Sequence, residues 1–458
     1  MTARRSPRRH ASTGGAFRAA QLERRLHELV VPLRGARLCV AFSGGADSTA
    51  LLAALVRLRP RCGFALRALH VDHRLQAASG RWAAAATAVA ARLDVPLQVL
   101  TVQVATAGRS VEAAARAARY AALAGALAAG EVLVTAHHEE DQLETVLLQL
   151  MRGAGLAGLS AMPARARFGP GWLLRPLLGE ARAALRDWVR AEGLEWVEDP
   201  SNSDTRYDRN YLRAEILPRL LARWPAAARS AGRSTRHLAE AQALLRQASD
   251  AWLERAQDGA AVRVTVLRAA PPSRQRALLR RWLERQGVAA PDTLQLELAR
   301  RAMLETRGDT HPVARWRGGE LRRHGDRILY ARSDAQHSAP PQDGMVWRWR
   351  AQPGVDVPGS GRLSIEPHAA GALALDRLPS PLRIRFRTGG EGLASAAGHK
   401  PLKNLLQELD IAPWLRSRLP LLWHRGRLLA VADLWLHPAL RANARTRRRA
   451  HLRFQAAN

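Results

Sequence analysis

The spacing of apolar residues divides the first two hundred positions into two alternating kinds of segment. Short apolar runs of strand length occur at 37–42 (RLCVAF), 65–71 (ALRALHV), 97–104 (LQVLTVQV) and 131–136 (EVLVTA). Between them apolar residues recur at helical spacing near 48–58, 80–93 and 110–129, after an entry helix around Leu22 to Val30. Strands separated by crossover helices predict a parallel sheet covered on both faces, hence a doubly wound α/β domain with its functional residues at the carboxyl ends of the strands. Beyond Trp224 the pattern turns helical, in runs of Ala, Leu and Arg through about Glu284 and again near 292–305. The polar, Pro-containing stretch SDAQHSAPPQDG at 333–344 reads as a linker, and LLWHRGRLLAV at 421–431 as a hairpin. The predicted organisation is a basic, disordered arm (1–20), a catalytic α/β domain (21–222), a helical middle domain (223–332), the linker, and a smaller α+β domain (345–458).

Charge changes the picture more than length does. A formal net charge of +31 on 458 residues would hold a polyanion by counterion release, which makes nucleic acid the first candidate partner. The leader MTARRSPRRHASTGGAFRAA carries no acid, so a disordered basic arm competes with an organellar presequence; the arm is favoured because the chain is Arg-rich throughout. No run of apolar residues is long enough for a membrane span or a secretory signal. Cys39 and Cys62 offer neither a disulfide framework nor a CxxC site, so a reducing cytoplasm is expected. The only lysines are Lys400 and Lys403 in HKPLKNLLQEL, read as i, i+3 on one helix where contact with nucleic-acid phosphate competes with a solvated face.

The loop SGGADS at 43–48 lies between the first strand and the first crossover helix. Gly44 and Gly45 let the backbone approach a ligand, Ala46 completes the turn, and Ser43 and Ser48 add hydroxyls beside the free N–H groups of a helix expected to begin at Thr49. This is an anion cradle. Where a Walker loop would carry lysine, this one carries Asp47, and a carboxylate beside a triphosphate calls for an intervening Mg²⁺. An ordinary Gly-Gly turn is the bland alternative, and the strand before and helix after argue against it.

Further polar groups fall at the same sheet edge. HVDHRL (70–75) places Asp72 and His73 at the end of the second strand. In TAHHEEDQLETVLLQLMRG (135–153), a helix starting near His138 would put His137, Asp141 and Glu144 on one stripe. Glu139 and Glu140 are read as acids favoured by a helix N-terminus. Arg116, Arg119 and Tyr120 sit in an Ala-rich helix, where two arginines point either to solvent or to an anionic ligand. EDPSNSDTRYDRNYLR (198–213) supplies Asn202, Arg209, Asn210 and Arg213 at the end of the α/β pattern, where a substrate site competes with simple turn chemistry.

SGGADS resembles the phosphate loop, SGGxDS, of the N-type ATP pyrophosphatases. Together with VDHRL, EAAARAARY, AHHEEDQLET, RPLL (175–178), EDPSNSDTRYDRNYLR and the later RFRTGGEGL and HKPLKNLLQELDIAPWLRSRLPLLW, it resembles the tRNA(Ile)-lysidine synthase family. The chain departs from the family's more frequent residues at Gln76 and Glu140. The resemblance implies attachment of free lysine, through its side-chain amine, to the wobble cytidine of an isoleucine tRNA with a CAU anticodon, changing codon reading from AUG to AUA. It also implies two steps: attack of the cytosine carbonyl oxygen on the α-phosphate of ATP with loss of pyrophosphate, then attack of lysine with loss of AMP. On that basis Asp141 is the leading candidate for base or ammonium anchor, Glu144 the second, and His137 a proton or phosphate partner. Ser43 to Ser48 cradle the phosphates, Asp47 places Mg²⁺, Asp72 and His73 flank the nucleotide, and Arg116 stabilises phosphate charge. Oligomeric state is left open, a homodimer among the alternatives.

Three rival functions are weaker. A sulfur-delivering tRNA enzyme needs better-placed cysteines; a glutamine-dependent synthetase needs a nucleophilic cysteine at the start of the chain. A non-catalytic RNA-binding protein leaves the acids beside the phosphate loop without a purpose.

Overall fold

The computed structural model describes residues 17–74, 79–104, 111–197, 204–306, 310–332, 344–395 and 398–456, in two compact units that meet at Arg246 and Gln247. Among the described residues no helix is long and apolar enough to cross a membrane.

In the first unit the strands β1 (Arg37–Ala41), β2 (Ala65–Asp72), β3 (Leu97–Thr101), β4 (Glu131–Val134), β5 (Arg165–Phe168) and β6 (Gly171–Leu174) form one sheet in the order β3-β2-β1-β4-β6-β5. All neighbours run parallel except the β5–β6 hairpin, which closes one edge. The helices are α1 (Ala19–Leu29), α2 (Ala46–Cys62), α3 (Ser79–Arg92), α4 (Val111–Ala126), α5 (Glu139–Met151), the single turn α6 (Leu156–Leu159), α7 (Arg182–Ala191), α8 (Asp208–Tyr211) and α9 (Leu217–Arg223). Strand β1 explains why both faces are covered. Leu38 and Val40 join the core beneath α1, α2 and α7, whereas Cys39 packs on the other face with Leu123 of α4 and Leu127 just beyond its end. The chain order reverses between β1 and β4, so the loops after these two strands flank the topological switch point, the usual ligand crevice of such sheets.

Structure is described from residue 17, before the boundary expected at residue 21. Phe17 is buried and meets Trp188 edge-on at 5.5 Å, and α1 begins at Ala19, so the fold starts inside the stretch assigned to the arm. Positions 1–16 of that arm lie outside the described residues.

Helix α10 (Ala227–Ala256) leads into α11 (Val264–Arg268), α12 (Pro272–Arg285) and α13 (Thr293–Leu304), the expected helical region. A small sheet that the sequence reading did not foresee accompanies these helices. Strands β7 (Gln257–Asp258), β8 (Ala261–Arg263), β9 (Val313–Trp316), β10 (Gly319–His324) and β11 (Arg327–Ala331) pair in the order β7-β8-β11-β10-β9. Arginines concealed these strands. Arg323 of β10 is buried and gives its guanidinium protons to the carbonyls of Met303, Thr306 and Gly325. A residue type normally read as solvated thus occupies a core-facing position, breaking the apolar alternation.

Of the linker expected at 333–344, residues 333–343 lie outside the described residues. The C-terminal part is β-rich, with strands Met345–Trp347, Leu382–Arg385, Leu421–His424, Arg427–Val431 and Trp435–Leu436 in one sheet. The hairpin at 421–431 is present, turning at Arg425 and Gly426, both with positive φ. A separate ribbon pairs Gly392–Ser395 with Gly398–Pro401, followed by helix α14 (Leu402–Glu408).

Candidate active site

The phosphate loop leaves β1 and opens α2 at Ala46. Gly44 has φ +80°, the left-handed region that other residues enter at a cost, and Gly45 caps the helix in extended conformation. Ser43 and Ser48 hydroxyls stand 3.0 Å apart, and Ser48 Oγ donates to the Gly45 carbonyl at 3.0 Å. The loop is braced from outside by Val197, whose N–H donates to the Gly44 carbonyl at 2.9 Å.

The second wall comes from the turn between β4 and α5. The helix begins at Glu139 with His138 as N-cap, so His137 precedes it and does not share its stripe, a correction to the expected register. Asp141 reaches back to accept the His138 N–H at 3.0 Å, which fixes the first turn and aims both groups at the phosphate loop. The hub is therefore His138, a residue that sequence reasoning passed over in favour of its neighbour. Its Nε2 lies 3.6 Å from Asp47 and 3.4 Å from Asp141, and its Nδ1 3.0 Å from Glu140. The i, i+3 relation of His138 to Asp141 was the available signal.

Electrostatics divides the two histidines. Burial opposes charge on His138, but Asp141, Asp47 and Glu140 outweigh it and raise the imidazole to about 10. His137 is pushed down to about 3, first by burial and then by Arg175, Arg116 and Arg119 against the pull of Asp141. Its Nδ1 stands 2.8 Å from Thr135 Oγ1. One imidazole is a cation and the other is neutral at pH 7. Because the His138 pKa is raised, its stabilisation is complete below pH 6.5 and is lost as pH rises toward 10. His138→Gln is therefore expected to remove that decline. Thermal midpoints of the two proteins measured from pH 6 to 10 should converge at the alkaline end, and parallel profiles would rule the ion cluster out.

Helix α5 presents Asp141 and Glu144 to two arginines from the 204–216 segment. Arg213 NH2 lies 2.7 Å from Asp141 Oδ1 and its Nε 2.6 Å from Glu144 Oε1. Arg209 Nε stands 3.3 Å from Glu144 Oε2, and its NH2 donates to Thr145 Oγ1 at 3.1 Å. Arg213 lies in a wide π-type turn, Leu212–Ile216. Burial opposes ionisation of Asp141, but His138, His137 and Arg213 prevail and hold it at about 2; for Glu144, burial wins over Arg213 and the pKa is raised. The pair thus holds one guanidinium between a strong anion and a more basic carboxylate.

The remaining candidates line the same edge or lie apart from it. Asp72 is buried at the end of β2 and accepts the Arg74 N–H at 2.9 Å. His73 is kept neutral by burial and Arg119, and its buried Nδ1 has no hydrogen-bond partner among the described residues. On α4, Arg116 lies over the Tyr120 ring at 4.9 Å and Arg119 at 5.7 Å. Asn210 donates to the Asp204 carbonyl at 3.0 Å, a contact within its own segment. Asn202 lies outside the described residues. Arg182, unforeseen, brings Nε to 3.8 Å from Asp47. Glu140 accepts the Arg182 N–H at 3.0 Å and so holds the start of α7. Asp47 Oδ1 is buried without a hydrogen-bond partner among the described residues, a donor atom fit for a divalent cation.

Lys400 and Lys403 do not share a helix. Pro401 disfavours helical backbone at Lys400, which pairs across the ribbon and holds Glu408 through Nζ at 2.5 and 2.6 Å, whereas Lys403 lies on α14. Both line a cleft of about 240 Å³ with Arg387, Gly390 and His399.

A switch-point crevice with a lysine-free glycine loop on one side and a charged helix N-terminus on the other defines an ATP-binding domain of the PP-loop class, and the PP-loop domain family model matches residues 18–220. Models of the TilS substrate binding domain and the TilS substrate C-terminal domain match residues 262–329 and 382–453. The tRNA(Ile)-lysidine synthase of Pseudomonas aeruginosa is 44% identical over 435 residues, covering 91% of this chain and 94% of the relative. That of Methylococcus capsulatus is 40% identical over 415 residues, covering 88% and 92%. A crystal structure of a TilS C-terminal domain aligns with 25% of this chain and 98% of that one, at 26% identity and a TM-score of 0.21. The chain belongs to the tRNA(Ile)-lysidine synthase family and is an ATP-using enzyme of tRNA modification.

Burial pushes the Cys39 thiol up to about 12, which leaves it unsuited to the persulfide chemistry of a sulfur-delivering relative.

Proposed function

We propose that this enzyme makes lysidine by joining free lysine to the wobble cytidine of a CAU-anticodon isoleucine tRNA in two steps, with pyrophosphate and AMP as products. The observation that carries the reading is the unbroken chain of contacts from Asp47 of the phosphate loop through His138 to Asp141, and through Arg213 to Glu144. ATP bound at one end and a cationic amine at the other would flank a single reacting base.

In the first step the cytosine carbonyl oxygen attacks the α-phosphorus, and the bond to the bridging oxygen breaks with the electron pair leaving on pyrophosphate. Ser43 to Ser48 hold the phosphates, Arg116 and Arg119 offset their charge, and Asp72 and neutral His73 border the nucleotide. Asp47 would hold Mg²⁺ through its unpartnered oxygen, where the ion would offset triphosphate charge. In the second step the lysine side-chain nitrogen bonds to the activated carbon as the carbon–oxygen bond to AMP breaks.

Lysine's amine has an unperturbed pKa near 10.4, so roughly one molecule in a few thousand is neutral at pH 7. Asp141, held at about 2, is a poor proton acceptor and serves better as the ammonium anchor; Glu144, with its raised pKa, is the better base. This assignment turns the sequence-based ranking into a division of labour. Arg213 and Arg209 hold the pocket until lysine replaces them.

The test is to incubate the enzyme with ATP, Mg²⁺, lysine and the tRNA transcript, then determine the mass of the anticodon nucleoside and the nucleotide product. Lysidine with AMP and pyrophosphate is expected; ADP, or an unmodified cytidine, would overturn the reading. The cleft beside Lys403 is proposed to meet tRNA phosphate. Replacing both lysines with arginine is expected to alter tRNA affinity and its salt slope by a measurable step, because an ammonium paired with Glu408 and a planar guanidinium present different geometries. Unchanged slopes would return the pair to a solvated face.

A further inference from the structure

A second cluster of metal-ligating side chains lies at the far end of α2, outside the crevice. Glu23 and His27 are i, i+4 on α1 and so share one face, and Cys62 is the last residue of α2. Each offers a donor atom, and the three atoms lie within 4.8 Å of one another. About fourteen residues of helix separate Cys62 from Ser48, roughly 20 Å at the α-helical rise, so the cluster is independent of ATP binding.

The geometry points to a binding site for a single borderline-soft divalent transition ion, represented by Zn²⁺, held by Cys62, His27 and Glu23 with water completing a tetrahedron. The Cys62 Sγ to Glu23 Oε1 separation is 3.6 Å. A tetrahedral ion with bonds of about 2.3 Å to sulfur and about 2.0 Å to oxygen sets those atoms about 3.5 Å apart, so two ligands already stand at coordination spacing. His27 is exposed and free to close the remaining distance by rotation, and its exposure leaves the fourth position open to water. Thiolate, imidazole and carboxylate together select Zn²⁺ or Co²⁺ over Mg²⁺ or Ca²⁺, which take all-oxygen shells.

The surroundings complete the site. Arg61 engages Glu23 through Oε2, the oxygen not facing the thiol, and can remain there to orient the carboxylate. The free carbonyls at the C-terminus of α2 carry partial negative charge that favours a cation. Burial and Glu23 raise the Cys62 thiol, so binding must expel its proton; sulfur then donates as thiolate, and one proton leaves per ion bound. The bound ion would fasten α1 to the helix whose other end opens the phosphate loop.

The test uses the full chain, stripped with chelator and titrated with Co²⁺. A thiolate-to-cobalt charge-transfer band and the visible bands of tetrahedral Co²⁺ should saturate at one equivalent, be displaced by Zn²⁺ and resist excess Mg²⁺. Cys62→Ser should abolish the charge-transfer band, and His27→Gln should weaken affinity by an order of magnitude. Zn²⁺ should raise the thermal midpoint of the parent chain but not of Cys62→Ser. Absence of the band, or its persistence in Cys62→Ser, overturns the proposal. If Cys62→Ser does not fold, His27→Gln decides, because His27 is exposed and unchanged affinity there is equally fatal.

Discussion

Asp141→Asn is expected to lower lysine transfer by about two to four orders of magnitude while pyrophosphate release with ATP and tRNA stays within about tenfold of the parent. The asymmetry follows from position. Asp141 is buried, its pKa held at about 2, and it faces the cation pocket through one oxygen while the other caps α5. Asparagine keeps an oxygen for the His138 N–H but removes the charge that an ammonium needs, so the helix start should survive and the anchor should not. Two assays on one preparation separate the steps: labelled lysine entering tRNA, and pyrophosphate released. Normal lysine transfer would remove Asp141 from the chemistry. Equal loss in both assays would instead assign it to nucleotide binding, through His138 and Asp47.

Arg213→Ala is expected to destabilise the first unit by about 3 kcal/mol at neutral pH. The figure is the low end for a broken buried ion pair, because the Arg213 side chain keeps 28% exposure and water can enter. Without it, Asp141 and Glu144 lose their shared guanidinium in a site where both are nearly inaccessible. In the parent, Asp141 has a lowered pKa, so its stabilisation is present above about 3.8 and fades as pH falls toward 2. Removing Arg213 should raise that pKa and move the acid loss to higher pH. Free lysine at millimolar concentration should recover part of the stability of the variant, since its ammonium can occupy the vacated place. Thermal unfolding with and without lysine, at pH 5 and 7, measures both effects. A variant as stable as the parent and indifferent to lysine would show that the pocket does not recognise a cation.

The parallel sheet of β1 to β4 was legible because each strand is a short, largely apolar run bounded by helical periodicity, even at β3, where Gln98 and an exposed Val99 mark an edge strand. The β5–β6 hairpin was not. RARF puts arginine at alternate positions, and Arg165 and Arg167 each pack over Trp172 at 3.9 Å, so the partner of that aromatic is a charge rather than an apolar side chain. At the site, residue types were legible and register was not. Asp141 and Glu144 converge as expected, but one residue decided which histidine caps the helix, and strand and helix ends are where local patterns are weakest. Nothing in the 198–213 run announced that Arg213 would stand on both carboxylates, since that contact joins positions 69 and 72 residues apart. The Lys400–Pro401 step held a signal that the one-helix reading overlooked: a proline after lysine argues against one continuous helix.

The identity of the cation resident in the carboxylate pocket has a chemical corollary. A guanidinium stays protonated far above physiological pH and has no lone pair to offer, so on the proposed mechanism Arg213 would wait beside the activated base without reacting with it. A primary amine in that place would be a competitor for its own enzyme's intermediate and could cross-link protein to RNA. The described catalytic unit contains no such amine on any side chain, both lysines lying beyond residue 398. Selecting arginine throughout the first unit would thus act as protection against self-inactivation, with the primary amine supplied by the incoming amino acid.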